Sequence, residues 1–334
     1  MTAREQLKKI LKGEKPDIFP DIIPINPPFL EVMEKAGIYW PSAHRKADEM
    51  AGLAYACNQF TGGSCVNVPF DMAVEAEALG CSVVWKEGKD QIPQVKEPKE
   101  NPDSLFNFDE TILTKGRIPV ILKSLEILRI KDGDLPIISF IEGPFTIACI
   151  TAGTSYMFKA VLKDREKALA ILERCADLCS FYADAQIKAG ADSIIVLDPH
   201  VMSLREKQFE QFIVPGYASF CGKIENPLIL HICGDTGRLL DLIGSTGFEA
   251  FSFDYPAVSP DTVIEKLSGK MKIIGSIPTI SHLLNGTPEE VLSLSLEMIE
   301  KGIDLLAPSC FLSPFTPLAN VQAMQRAIEI RNAG

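Results

Sequence analysis

A junction between a helix-like and a strand-like segment occurs three times in the second half of the chain and narrows the possible folds. At Gly190, Gly247 and Gly302 a helix-like segment ends in glycine and a short apolar run begins. Glycine ends helices because it adopts the left-handed conformation without a steric penalty. A short apolar run bounded in this way is typical of a buried strand. The alternation therefore predicts parallel strands joined by helices.

The number of such runs predicts a barrel. Eight runs have the length and the flanking turn residues of strands: 19–25, 64–68, 136–141, 192–197, 228–231, 248–253, 272–275 and 303–307. Eight β/α units predict an α/β fold of the TIM (β/α)8 barrel type, with residues 1–334 as a single domain. An open doubly wound sheet is the main alternative, but no predicted strand is followed by the G-x-G-x-x-G sequence of dinucleotide-binding sheets.

Residues 81–116 fit this repeat poorly. They contain two short apolar runs, at 83–85 and 92–95, and then a segment rich in Pro, Asn and Asp. We interpret approximately 81–116 as an insertion after the second strand, consisting of a hairpin and a loop near the barrel mouth.

Composition limits the partners and the compartment. The 334 residues carry a formal net charge of −11 and no basic stripe, which argues against nucleic acid as a partner. The N-terminus lacks an apolar core of signal-peptide length, and no run of about 18 apolar residues occurs. We therefore expect a cytoplasmic protein that does not enter a membrane. The nine cysteines would then be reduced, as small core residues or metal ligands.

Polar side chains follow nearly every predicted strand. Because the active site of a β/α barrel forms at the carboxyl ends of its strands, these residues are the candidates for chemistry: Asn67, Glu142, Asp198 with His200, His231 with Cys233, Asp254, Ser276 and Cys310. We predict catalytic roles for the carboxylates Glu142, Asp198 and Asp254. A buried carboxylate such as that of Glu142 needs a partner. For Asp198 and Asp254 the alternative to a catalytic role is that they form turns before the nearby prolines.

Three of these residues suit a metal ion. His231 and Cys233 are two apart at a strand end, so they face the same side of an extended backbone. Cys310 follows the last predicted strand. Imidazole and thiolate together suit Zn²⁺, and three protein ligands leave a fourth position free, as in catalytic sites. A substrate thiol bound at that position would be deprotonated. The alternative is a buried histidine with two core cysteines.

Five short sequences together resemble the methylcobamide:coenzyme M methyltransferases of the uroporphyrinogen decarboxylase superfamily. They are His-Ile-Cys-Gly at 231–234, Gly-Phe-Glu at 247–249, Gly-Ile-Asp at 302–304, Leu-Ala-Pro-Ser-Cys at 306–310 and Thr-Pro-Leu-Ala-Asn at 316–320. Similar sequences at 40–44, 76–81, 116–120 and 142–144 extend the resemblance over nearly the whole chain.

This resemblance implies a TIM barrel with zinc bound by His231, Cys233 and Cys310. In the family the metal binds a thiol acceptor such as coenzyme M, which attacks the methyl group of a methyl-Co(III) corrinoid protein. The family's displaceable fourth ligand is a glutamate, and Asp254 occupies that position here. The D-x-H-x-x-G sequence of corrinoid-binding proteins does not occur, so the corrinoid would arrive on a partner protein.

Three other functions stay open on the sequence alone. A uroporphyrinogen decarboxylase would carry an arginine-rich Arg-Gln-Ala-Gly-Arg sequence near its first strand, whereas residues 24–29 contain no arginine. A methyltransferase working in the other direction would methylate the corrinoid protein from a methylated substrate. A protein of the same fold that binds zinc without turnover is the third. The identity of the thiol stays undetermined.

Overall fold

The computed structural model describes residues 1–99 and 106–333. Within them the main sheet has six parallel strands, whose order in the sheet follows their order along the chain. Its strands are Val66–Val68 (β1), Ile137–Glu142 (β4), Ser193–Leu197 (β5), Leu228–Ile232 (β6), Ala250–Phe253 (β7) and Lys272–Ile274 (β8). Each strand pairs with the next along the chain, as a β/α repeat requires.

The helices lie between these strands and at both ends of the chain. Their bounds are Ala3–Leu11 (α1), Leu30–Ala36 (α2), Trp40–Ala43 (α3), Ala47–Thr61 (α4), Val74–Ala78 (α5), Ile118–Lys131 (α6), Pro144–Ala152 (α7), Thr154–Lys163 (α8), Arg165–Ala189 (α9), Glu206–Gln208 (α10), Val214–Cys221 (α11), Leu240–Ile243 (α12), Pro260–Leu267 (α13), Pro288–Lys301 (α14) and Leu318–Ala333 (α15). Two of the predicted junctions are confirmed, because Gly190 ends α9 and Gly302 ends α14, with φ of +126° and +99°. The helix end predicted at Gly247 is wrong: α12 ends at Ile243 with Gly244 after it, and Gly247, with φ of +94°, lies in the turn that leads into β7.

The first predicted strand, 19–25, is wrong. These residues, all described, form no strand, because prolines at 20 and 24 supply no N–H to a ladder. The side chain of Asn67 substitutes for ladder bonds: its Oδ1 accepts from the N–H of Asn26 at 2.6 Å, and its Nδ2 donates to the carbonyl of Pro24 at 3.0 Å. The segment is therefore held beside β1 without regular pairing.

The last predicted strand, 303–307, is reduced to isolated bridges. Leu305 pairs with Ile274, and Pro308 pairs with Ile277, both in parallel. Side chains from both irregular segments nevertheless share one apolar cluster with the strands: Ile22, Ile25, Ile138, Phe140, Ile195, Leu197, Ile229, Ala250, Ile274, Leu305 and Ala307 are buried together. This shared interior identifies the TIM-barrel fold that the repeat predicts.

Side chains alternate along each strand between this interior and the helices. On β6, Ile229 packs inside, whereas Leu228, Leu230 and Ile232 pack in the larger cluster with the helices. The strand period of two therefore directs His231 to the inside as well. The same alternation on β7 directs Ser252 inward.

A small hairpin stands apart from the main sheet. Val83–Val84 (β2) pairs antiparallel with Gln94–Val95 (β3). This hairpin lies within the proposed insertion 81–116, of which residues 100–105 lie outside the described part of the chain. Trp85, next to β2, packs under the guanidinium of Arg45, 3.9 Å from the ring centre.

Among the described residues, no single helix has the length and apolar composition to cross a membrane. The pair α7 and α8 passes that test together, but the two helices meet at an angle of 115°.

Candidate metal centre

The structure brings the three predicted zinc ligands together. His231 Nε2 lies 3.2 Å from Cys233 Sγ, which lies 3.4 Å from Cys310 Sγ. All three ligand atoms fall within 4.8 Å of one another. Cys310 follows the bridged segment at 305–308, 77 residues along the chain from Cys233, so the barrel itself assembles the cluster.

The local backbone explains why the two β6 residues converge. His231 is buried and directed inward by the strand alternation, and Cys233 follows one residue after β6 ends. Gly234 then has φ of +90°, a conformation that favours glycine. Its N–H donates to Asp254 Oδ2 at 2.9 Å, which ties the end of β6 to the end of β7.

The two thiols differ in proton affinity because they face each other. Their mutual hydrogen bond raises the pKa of Cys233, with burial adding to the effect. The same hydrogen bond, opposed by burial and assisted by His231, lowers the pKa of Cys310. Two sulfurs therefore face each other beside an imidazole nitrogen. Two thiols and one imidazole are ligands that Zn²⁺ prefers, so the donor set fits this ion by its chemistry.

Ser252 orients the imidazole of His231. Its Oγ lies 3.0 Å from His231 Nδ1. If Nδ1 carries the proton and donates to Ser252, Nε2 is left with its lone pair toward the two sulfurs, which is the tautomer that a metal ligand needs. Ser252 was not among the sequence candidates, although a lone serine between Phe251 and Phe253 on a buried strand is a usable signal.

Replacing Ser252 with alanine is expected to weaken zinc binding about 10- to 100-fold, because the ring loses the partner that fixes its orientation. Competition with a chelator of known affinity measures the change. Ser139, also buried on a strand but bonded to the carbonyl of Val68, is the control position. Equal zinc affinity in Ser252→Ala and the wild type would remove this role.

Asp254 lies next to the cluster without joining it. It is half-buried, and among the described residues its oxygens are not part of the set lying within 4.8 Å. Its observed contact is with the Gly234 backbone. Its role as a displaceable fourth ligand stays a prediction.

Asp198 is fully occupied by structural contacts. Its Oδ1 accepts from Thr146 N at 2.8 Å and Thr146 Oγ1 at 2.6 Å, and its Oδ2 accepts from Tyr217 Oη at 2.8 Å. Burial raises its pKa to about 6, against these hydrogen bonds, which lower it. The contacts join the end of β5 to α7 and α11. A catalytic role for Asp198 stays a prediction.

Glu142 forms a buried carboxyl pair with Glu75. Glu75 Oε1 accepts from the Glu142 N–H at 2.9 Å, while both carboxyl oxygens of Glu142 are buried without a hydrogen-bond partner among the described residues. Burial raises the pKa of Glu75 to about 7. Burial and the charge of Glu75 raise the pKa of Glu142 well above its usual value. The catalytic role of Glu142 stays a prediction, and Glu75 was missed because its sequence gives no sign of burial.

This pair is expected to make the protein less stable as the pH rises. The folded state binds more protons than the unfolded chain between pH 4.5 and about 7, so the free energy of unfolding falls across that window. Glu75→Gln should reduce this loss, by up to about 3 kcal/mol. Urea unfolding at pH 5 and pH 8 tests it, with the exposed Glu126→Gln as control. An unchanged pH dependence in Glu75→Gln would contradict it.

A cavity of about 660 Å³ opens beside Cys310. The hairpin contributes to it through residues 92–98, and the loop after Cys310 contributes Phe311, Leu312 and Pro314. His200, one of the sequence candidates, also lines it. Burial lowers the pKa of His200, whose Nδ1 lies 3.3 Å from Thr146 Oγ1. Of the three cluster residues, Cys310 is the one that lines this cavity.

The fold and the cluster together define a β/α-barrel protein with a cluster of one histidine and two cysteines that could hold a metal ion. The model of the family described as Uroporphyrinogen decarboxylase (URO-D) matches residues 2–330, and the chain belongs to this family.

Similar proteins include enzymes named as methyltransferases. A methylated-thiol–coenzyme M methyltransferase from Methanosarcina mazei is 33% identical, covering 98% of this chain and 89% of that protein. A methylcobamide:CoM methyltransferase from Methanosarcina acetivorans is 32% identical, covering 97% and 96%. The solved structure of a methyltransferase from Methanosarcina mazei has a TM-score of 0.94 at 30% identity, and 99% of each chain is covered.

Proposed function

We propose that this chain is a zinc-dependent methyltransferase that moves a methyl group from a methylated corrinoid protein to a small thiol. The observation that carries the proposal is the convergence of His231, Cys233 and Cys310 beside an open cavity. Two thiolates and one imidazole leave a fourth coordination position, which distinguishes catalytic from structural zinc sites.

His231, Cys233 and Cys310 would hold the metal. When bound, zinc lowers the pKa of a thiol, and the thiolate is the reactive nucleophile. Ser252 would hold the His231 ring, and the cavity would position the thiol sulfur for attack on the methyl group. The sulfur–carbon bond forms as the cobalt–carbon bond breaks; the electron pair stays on cobalt, giving Co(I), and the thiol proton goes to solvent. The step needs no general base beyond thiol activation.

The names of the relatives support the same reaction class. They are named for methyl transfer to coenzyme M and, in one case, from a methylcobamide. We propose that the corrinoid comes on a separate protein, as expected from the absence of a corrinoid-binding sequence in this chain.

The decarboxylase alternative is disfavoured by the cavity. Porphyrin carboxylates require several cations, whereas Lys96 and His200 are the two basic side chains among the described residues that line it. Binding without turnover is disfavoured by the free fourth position. The reverse reaction, in which a methylated substrate methylates the corrinoid protein, would use the same site. An assay that supplies Co(I) corrinoid and methylated thiol distinguishes the two directions, because only the reverse reaction then forms methyl-Co(III).

A spectroscopic assay tests the proposal. Zinc-loaded protein is incubated without oxygen with methylcobalamin and a panel of thiols, and then with a purified methylated corrinoid protein. We expect loss of the methyl-Co(III) spectrum that depends on both protein and thiol and that disappears after chelator treatment. If neither methylcobalamin nor the methylated corrinoid protein lost its methyl group, the proposal would be overturned.

A further inference from the structure

We infer that His200 binds the anionic end of the thiol acceptor in the cavity beside Cys310. The inference rests on the proposed function and deepens it, because it names the side chain that would select a thiol with a negatively charged tail. Cys310 and His200 line the same cavity, and a thiol bound at the cluster through this cavity must place the rest of its structure there.

The fold places His200 at the same edge of the barrel as the cluster. His200 lies in the turn after β5, and Leu197 at the end of β5 pairs with His231 on β6. The N–H of Asp198 donates to the carbonyl of His231 at 3.1 Å, which joins the two strand ends. His200 therefore follows the strand next to the one that carries His231 and leads into Cys233.

Thr146 determines which ring nitrogen of His200 is free. Its hydroxyl donates its proton to Asp198 Oδ1 at 2.6 Å, so its oxygen can act only as an acceptor toward His200. This oxygen accepts from the backbone N–H of His200 at 3.3 Å and lies 3.3 Å from His200 Nδ1. Nδ1 is therefore the donor in this contact, and Nε2 is the ring atom left for a ligand.

The Nε2 atom of His200 is open to the cavity. The residue is half-buried, and among the described residues Nε2 has no hydrogen-bond partner and is not one of the fully buried polar atoms. With Nδ1–H held by Thr146, protonation at Nε2 gives a positively charged ring that can donate to a sulfonate or carboxylate oxygen.

The anion itself would stabilise the protonated ring. Burial lowers the pKa of His200, and a negative charge nearby acts in the opposite direction. The elements packed against residues 199–203 are α7 and β6, whose titratable groups are Cys149 and His231, and Asp198 precedes this turn. Binding of an anionic tail would therefore bring proton uptake at Nε2.

The arginines near this wall are already committed. Arg117 binds both oxygens of Asp71, at 2.7 and 2.9 Å, and so neutralises the buried carboxylate that lines the cavity. Arg238 donates to the carbonyls of Met202 and Leu204, both at 2.9 Å, and does not line the cavity.

Lys96 is the other basic side chain that lines the cavity among the described residues. It is exposed and shares the lining with Asp90 and Glu97, whose charges oppose an anion there. Its side chain would lose conformational entropy on holding a ligand, whereas the ring of His200 is already held by Thr146. His200 is therefore the better placed cation.

A kinetic test compares two thiols with methylcobalamin as donor. Coenzyme M carries a sulfonate where 2-mercaptoethanol carries a hydroxyl. In His200→Gln we expect the ratio of kcat/KM for coenzyme M to that for 2-mercaptoethanol to fall at least about tenfold, through KM, because a hydrogen bond to a charged group is lost. Lys96→Gln, which removes a charge from the same cavity, should change this ratio less than about threefold.

The outcomes separate the inference from the proposed function. A fall of less than about tenfold in His200→Gln, an equal fall in Lys96→Gln, or an equal loss of activity with both thiols would overturn the inference and leave the proposed function standing. No reaction of the wild type with any thiol, from methylcobalamin or from a methylated corrinoid protein, would overturn the proposed function and, with it, the inference.

Nuclear magnetic resonance gives a second readout that does not depend on turnover. The chain has four histidines, so the Cε1–H signal of His200 can be assigned by its absence in His200→Gln. Ethanesulfonate, which lacks a thiol, should raise the pH at which this signal titrates, whereas the uncharged ethyl methyl sulfone should leave it unchanged. An equal response to both compounds, or none to ethanesulfonate, would contradict the binding of an anion at His200.

Discussion

Cys310→Ala is expected to lose nearly all of the zinc and about 10³-fold of the thiol-dependent demethylation rate. The remaining His231 and Cys233 offer two ligands, one short of the set that holds catalytic zinc. A 10³-fold loss corresponds to about 4 kcal/mol of transition-state stabilisation, a reasonable magnitude for removal of a Lewis acid. Metal analysis after gel filtration and the methylcobalamin assay measure the two effects.

The control for this variant is a cysteine outside the cluster. Cys221 is also half-buried, at the end of α11, where its side chain lies beside Gly247. Cys221→Ala should keep one zinc per chain and an unchanged rate. If Cys310→Ala kept its zinc while losing activity, Cys310 would not be a ligand, and its thiol would instead take a direct part in the reaction.

Arg117→Ala is expected to destabilise the protein by about 3–5 kcal/mol, because it leaves the buried carboxylate of Asp71 without its main cation. Burial by itself raises the pKa of Asp71, but the hydrogen bonds and charge of Arg117 outweigh it and hold that pKa below its usual range. Removing one partner of such an ion pair lowers the free energy of unfolding by more than the intact pair contributes to it, since the remaining charge stays buried. Urea unfolding measures the loss.

Two further variants separate charge from packing. Lys123→Ala removes an exposed ion pair from α6, the helix that begins directly after Arg117, and should cost less than about 1 kcal/mol. Asp71→Asn combined with Arg117→Met removes both buried charges and should recover most of the stability lost in Arg117→Ala. If the double variant were as unstable as Arg117→Ala, lost packing would account for the effect, including the contact of Arg117 with the Trp85 ring at 5.1 Å.

The sequence predicts the repeat well because glycine and strand periodicity act locally. Gly190 and Gly302 end helices by their own conformational freedom, so neighbouring residues suffice to find them. The metal cluster is also predictable, since a His-x-Cys at one strand end and a cysteine at another meet once a barrel is assumed. The prediction of a first strand at 19–25 was wrong, although the local sequence already contains the reason. Prolines at 20 and 24 prevent regular pairing.

Long-range partners could not be predicted from one sequence. Ser252 beside His231, Glu75 beside Glu142, and Arg117 on Asp71 are separated by 21, 67 and 46 residues. Nothing in their local sequence specifies these contacts, because they depend on which strand ends and helices the barrel brings together. The same limit applies to the hairpin, whose position beside Cys310 decides the chemistry of the cavity.

The central claim is that zinc held by His231, Cys233 and Cys310 binds and activates a substrate thiol. X-ray absorption at the zinc edge measures it most directly, by counting sulfur and nitrogen or oxygen neighbours before and after a thiol is added. We predict two sulfurs in the protein alone, at about 2.3 Å, and three once the thiol binds. Zinc that keeps two sulfur neighbours with saturating thiol, in protein that demethylates methylcobalamin, would contradict this claim.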